Sequence, residues 1–310
     1  MHPICKALCI GLSLIGIVVG AEPTRSSRKL QLENNGHKLC LTFYPGEIGP
    51  SAHPGPTVVF ESGLGGGEWH WDRVIASLPK TVPVVTYGRP GLDGSELDGA
   101  RPTPDHIAQL LHSALSQVTK PPYLLVGHSW GGPLIRAFAG EYPDDVAGMV
   151  YIDPTDFNET ESGRRSQIFG PLGHADDGET IRDRIAEYYY QRAGKFPANV
   201  QDEIDVSRDE RRGDFKDLKR LPMPQVPIAI IVTTRYPKDN DPNLRLPFDQ
   251  RKYLDLVFDY RMSSLTSFAC SVPDGTLVTT ARSGHYVQDD EPDLVNWAIG
   301  RILKVPGRPK

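Results

Sequence analysis

Between residues 123 and 141 the chain runs Tyr-Leu-Leu-Val-Gly-His-Ser-Trp-Gly-Gly-Pro-Leu-Ile-Arg-Ala-Phe-Ala-Gly-Glu. This is an apolar run, a glycine-bounded turn, and then apolar residues at helical spacing. A strand that passes into a helix through so short a turn brings the two backbones close, so the positions two before and two after the apex must be small. Gly127 and Gly131 meet that demand around Ser129, with Gly132 beside them. The turn raises the Ser129 hydroxyl to the edge of a sheet. It also leaves the Trp130 amide at a helix N-terminus, free of intrahelical partners and able to donate to negative charge developing on a carbonyl oxygen.

The rest of the chain supplies a frame for such a turn. Short β-type runs at 39–44, 57–61, 82–87, 123–126, 149–152, 228–233 and 276–280 alternate with amphipathic stretches at 69–78, 103–118, 132–142, 248–268 and 292–303. That alternation predicts an α/β fold in which a mostly parallel sheet is covered by helices. The segment from Glu22 to Asn35 reads as polar and without a strand. Residues 154–226 break the pattern: they hold no strand-like run, many charges, the triplet Tyr188-Tyr189-Tyr190, and helical spacing over 181–190 and 200–218. An insertion there, after a strand's C-terminal end, is expected to form a helical cap over the site. Its tyrosines and arginines suit aromatic or acidic substrates, or simply a solvated face.

At 310 residues the chain can bury a sizeable core without staples. Its net charge of −5 is dispersed, with no Lys/Arg block, so it lacks the phosphate-neutralising surface that nucleic-acid binding requires. No zinc-type Cys/His spacing occurs, and no phosphate-cradling or dinucleotide glycine motif, so neither metal nor cofactor is expected. Lys6, an apolar stretch from Ala7 to Val19 and the small residues before position 22 read as an export signal over residues 1–21, giving a periplasmic or secreted protein. The stretch is short for a membrane span, an uncleaved anchor being the alternative. The domain plan is then a signal at 1–21, core at 22–153, cap at 154–226 and core again at 227–310. Of the cysteines beyond the signal, Cys40 and Cys270, an oxidising compartment permits a disulfide; two buried thiols is the other reading.

A serine hydroxyl needs a base. His285, in Ser-Gly-His-Tyr-Val directly after the last predicted strand, is the histidine best placed to reach Ser129 from the same sheet edge. A carboxylate must orient that imidazole. Asp153, at the end of the 149–152 strand, is favoured because a strand end fixes a side chain better than a loop. Asp239 and Asp241, in the loop after the 228–233 strand, are the alternatives. The glycine-rich run Glu61-Ser62-Gly63-Leu64-Gly65-Gly66-Gly67 allows close backbone approach and makes the Leu64 amide the second oxyanion donor beside that of Trp130.

Taken together, these residues resemble the α/β-hydrolase superfamily, in particular a bacterial serine hydrolase and esterase branch. The likeness is carried by Val-Val-Phe-Glu-Ser-Gly-Leu-Gly at 58–65, Gly-His-Ser-Trp-Gly-Gly at 127–132, Ile-Asp-Pro at 152–154 and Ser-Gly-His-Tyr at 283–286. It implies an eight-stranded, mostly parallel sheet with a cap after the sixth strand, no cofactor, and a Ser-His-Asp triad. Much of that branch lacks an acid after the seventh strand, which supports Asp153, although this chain has Asp239 and Asp241 there. It also has Gly88 in Tyr-Gly-Arg-Pro-Gly where relatives usually carry Asp. The expected activity is hydrolysis of a small-molecule carboxylic ester through an acyl-enzyme. Amide, lactone, peroxy-acid or carbon–carbon bond chemistry on the same fold is the alternative, as is a catalytically silent binding protein. Oligomeric state is not encoded in any motif here.

Overall fold

The structure, a computed structural model, describes residues 25–47, 55–235 and 241–304. The signal segment at 1–21 and Asp239 lie outside these residues. In chain order the elements are β1 (Arg28–Asn34), β2 (His37–Tyr44), β3 (Thr57–Glu61), α1 (Asp72–Ser77), β4 (Val84–Tyr87), α2 (Pro104–Ser116), β5 (Tyr123–His128), α3 (Gly131–Glu141) and β6 (Val146–Ile152). Next come α4 (Glu161–Arg164), α5 (Gly178–Ala193), α6 (Ala198–Arg212) and α7 (Lys216–Arg220), followed by β7 (Ile228–Thr233), α8 (Gln250–Cys270), β8 (Gly275–Thr280), α9 (Val287–Asp290) and α10 (Pro292–Leu303).

Eight strands form one sheet in the order β1-β2-β4-β3-β5-β6-β7-β8, with β2 antiparallel to both of its neighbours, β1 and β4, and every pairing from β4 to β8 parallel. The central strands β3, β5 and β7 are buried on both faces, which is why they read as continuous apolar runs. One core packs α2, α3 and α8 against one face of the sheet, and a second packs α1 and α10 against the other. The order reverses between β3 and β5: β4 lies on one side of β3 and β5 on the other. The loops leaving the C-terminal ends of β3 and β5 therefore meet at the crevice where open α/β sheets bind ligands.

The strand β1 corrects the reading of the Glu22–Asn35 segment. It is an edge strand that alternates apolar Leu30 and Leu32 with the polar Lys29, Gln31 and Glu33 and pairs with β2 in a hairpin. Its signal was the turn Asn35-Gly36, where both residues take positive φ, 51° and 84°; an Asn-Gly pair of that kind marks a two-residue hairpin. The cysteine expectation fails as well. Cys40 sits half-buried in β2 and Cys270 exposed at the end of α8, and both are free thiols. Helix α8 packs on β8, at the opposite end of the sheet from β2, so neither a disulfide nor a pair of buried thiols describes them.

Candidate active site

Ser129 stands between β5 and α3 with φ of 53°, a left-handed conformation strained for any residue with a Cβ. The neighbouring glycines show why the turn tolerates nothing larger. A Cβ on Gly127 would lie 2.5 Å from the Gly131 carbonyl oxygen, and one on Gly131 would lie 2.3 Å from that of Glu61. The turn is pinned from the next strand: the Ser129 amide donates to the Ile152 carbonyl at 3.1 Å, and the Ser129 carbonyl accepts from Thr155 at 2.9 Å.

Those bonds bring the end of β6 alongside the serine. Asp153 follows directly, buried and also in a left-handed conformation, φ 38°. Its Oδ2 lies 2.6 Å from Nδ1 of His285, on the loop after β8. Its Oδ1 accepts from the Thr233 amide at 3.2 Å and from both terminal nitrogens of Arg261 at 3.0 Å each. Burial on its own would raise the Asp153 pKa, but the His285 hydrogen bond and the Arg261 charge outweigh it and hold the carboxyl below its ordinary value. Asp153 is thus an anion hydrogen-bonded at both carboxylate oxygens, and His285 is held by Nδ1. Asp241 faces elsewhere, accepting from the Tyr188 hydroxyl at 3.0 Å.

No hydrogen bond joins the Ser129 hydroxyl to the imidazole among the described residues. The two are linked instead through His128, whose Nε2 is 2.9 Å from the His285 carbonyl oxygen and whose ring centroid is 4.7 Å from that of His285. A carbonyl can only accept, so His128 carries its proton on Nε2. Burial, reinforced by the neighbouring His285, pushes its pKa down to about 3, which makes it a neutral spacer at working pH. Tyr286 stacks on His70 and packs at a tilt against the His128 ring, and with exposed Trp69 it forms an aromatic rim beside His285.

The loop after β3 closes the other side. A Cβ on Gly63 would lie 3.2 Å from the Ser129 Cβ, so the backbone of this loop touches the Ser129 turn. No backbone carbonyl among the described residues accepts from the Leu64 or the Trp130 amide. Arg89, in the loop after β4, receives no role from the sequence, yet it is buried and donates to the Ser62 and Gly63 carbonyls at 2.8 and 2.6 Å. A glycine at 88 is required because a Cβ would lie 2.3 Å from the Leu92 carbonyl oxygen. Neither Arg89 nor Arg261 had a periodicity signal, although an arginine in a loop between a buried strand and glycines was a usable hint.

Residues 154–226 carry four α-helices, a short π-helical turn and a 3-10 turn, and no strand. A cavity of about 270 Å³ opens there, lined by Arg164, Arg182, Arg208, Arg211, Tyr190 and Tyr253 among others. Each arginine already has a carboxylate 2.9 to 3.7 Å away, from Glu159, Glu179 or Glu187. The cationic character read from the sequence is therefore largely neutralised from within.

The family model described as "Alpha/beta hydrolase family" matches residues 58–298. The chain belongs to that family. Among curated relatives, the uncharacterized protein YqjL of Bacillus subtilis is 36% identical over 101 residues, 32% of this chain and 40% of that protein. The monoacylglycerol lipase ABHD6 of Homo sapiens is 29% identical over 128 residues, 40% of this chain and 36% of that protein. The chain thus spans well under half the length of these relatives. The solved epoxide hydrolase CorEH superposes with a TM-score of 0.57 at 14% identity, covering 89% of this chain and 98% of that one, a likeness of fold alone. No helix of the described residues is long and apolar enough to cross a membrane, and no metal-ligating cluster occurs among them.

Proposed function

We propose that this α/β-hydrolase cleaves a small-molecule carboxylic ester through an acyl-enzyme, with Ser129 as nucleophile, His285 as base and Asp153 as the orienting acid. The carrying observation is the 2.6 Å contact between buried Asp153 and His285 Nδ1 at the sheet edge that holds Ser129 at positive φ. With Nδ1 donating to Asp153, His285 Nε2 takes the Ser129 proton as Oγ attacks the ester carbonyl. The oxyanion accepts from the Leu64 and Trp130 amides. Collapse expels the alcohol, protonated by His285, and water then enters by the same route in reverse to release the acid. The rim of Trp69 and Tyr286 favours an apolar group on the substrate. A hydroxyl at the elbow, where alkyl-ester opening of epoxides needs a carboxylate, supports acyl chemistry.

The test is a panel of 4-nitrophenyl esters of graded acyl length, with labelling by a fluorophosphonate probe. Turnover and probe mass both located on Ser129 are expected. A folded protein that neither turns over esters nor labels at Ser129 refutes the reading and favours a binding protein.

A further inference from the structure

Helix α6 belongs to the insertion, yet its N-terminal half reaches into the loop that carries Leu64. Glu203, 3% exposed, accepts from the Gly65 amide through Oε2 at 2.8 Å. The same carboxylate grips Arg89 at both Nε (2.5 Å) and Nη2 (3.0 Å). Arg89 in turn holds the Ser62 and Gly63 carbonyls and pairs with Glu61 at 2.7 Å. Val200, one turn earlier on the same face, packs so close that a Cβ on Gly65 would lie 2.9 Å from it, and Asn199 donates to the Gly91 carbonyl at 3.1 Å. The insertion is thus fastened by one helix face to both loops flanking the site.

Peptide planarity gives the fastening a chemical consequence. In a trans peptide the carbonyl and the next N–H point in opposite directions. Drawing the Gly63 carbonyl onto Arg89 therefore turns the Leu64 N–H away from Arg89, and Gly63 is in contact with the Ser129 turn. We propose that Glu203 is a positioning residue: by clamping Arg89 and the Gly65 amide from the insertion, it sets the Leu64 N–H for the oxyanion, so that seating of the insertion and stabilisation of the transition state are coupled. This rests on the ester-hydrolase reading above.

Charge balance selects the variant. Arg89 lies between two buried carboxylates, so removing Glu203's charge still leaves the Arg89–Glu61 pair matched, whereas removing Arg89 would strand two buried anions. Glu203→Gln keeps the shape but offers one acceptor oxygen for three donor contacts. Glu203→Asp keeps the charge but retracts it by a methylene. In both, kcat for a 4-nitrophenyl ester is expected to fall on the order of 10-fold to 100-fold with KM little changed. Affinity for a trifluoromethyl ketone, which forms a tetrahedral oxyanion adduct, should weaken in proportion. An active wild type whose Glu203→Gln and Glu203→Asp variants keep full kcat and full ketone affinity overturns the proposal while leaving the hydrolase reading intact. A lowered thermal midpoint without any catalytic change does the same, by making Glu203 a fastener alone. If Glu203→Gln fails to fold, Glu203→Asp decides by the same criterion. A wild type inactive on every ester refutes the underlying reading instead.

Discussion

Replacing His128 by glutamine should make the protein markedly less sensitive to mild acid, for a reason that can be worked from the buried ring. In the unfolded chain a histidine takes up its proton near pH 6.5, whereas in the fold His128 does so at about 3, because burial and the nearby His285 penalise the cation. Between those values the unfolded state binds a proton that the folded state refuses, so stability falls as pH drops below about 6.5. At about pH 5 the folded ring is still neutral, so the loss is set by the unfolded state alone. It comes to about 2 kcal/mol relative to about pH 7.5, or about 3–4 °C in thermal midpoint for a domain of this size. Glutamine places an amide N–H where Nε2 donates to the His285 carbonyl and has no proton to gain. Buried acids such as Glu61 and Asp156, whose pKa values burial raises, add slopes of opposite sign, but these are common to both proteins and cancel in the difference. The assay is thermal unfolding of wild type and His128→Gln across that range. Parallel curves, with the gap between the two proteins independent of pH, would show that His128 is not held neutral and would refute the argument.

Four further outcomes follow from the site. Ser129→Ala should lower ester turnover by on the order of 10⁴ or more and abolish fluorophosphonate labelling; near-normal turnover would remove Ser129 from the chemistry. Asp153→Asn should cost on the order of 10⁴ in kcat by permitting the wrong imidazole tautomer, and Asp239→Asn should cost little; the reverse order would move the acid to the later loop. Arg261→Gln removes a charge that depresses the Asp153 pKa. Because the depressed pKa lets Asp153 stabilise the fold at neutral pH and that stabilisation is lost as pH falls through its folded value, the variant should be less stable than wild type at neutral pH, with the gap narrowing below about pH 4; a gap that does not change with pH counts against that coupling. Expressed in an exporting host, the protein should begin at Glu22 by intact mass, and a chain that retains Lys6 would support an uncleaved anchor instead.

How much of this was legible before folding differs from residue to residue. Gly127, Ser129 and Gly131 were readable because the elbow is a local steric problem, solved within five residues and marked by the apolar run on either side. The Asn35-Gly36 hairpin was equally local, and β1 was missed because an edge strand carries only half of the apolar pattern that marks a buried one. The partners of Asp153 were of another kind. His285 is 132 positions away and Arg261 108. Each comes from a segment whose own pattern, a loop or a long helix, says nothing of what it faces.

By itself, then, the order of residues determined the alternation of strands and helices, the tight serine turn and the shortlist of acid and base, since each depends on spacing, small side chains or chain order. The choice between Asp153 and Asp241 as neighbour of His285, the clasp of Arg89 by Glu61 and Glu203, the neutral state of His128 and the separation of Cys40 from Cys270 were decided only by tertiary packing. Charge pairing, desolvation and reach depend on distances through space, and those are set by the sheet order β4-β3-β5-β6-β7 and by the insertion laid across its edge.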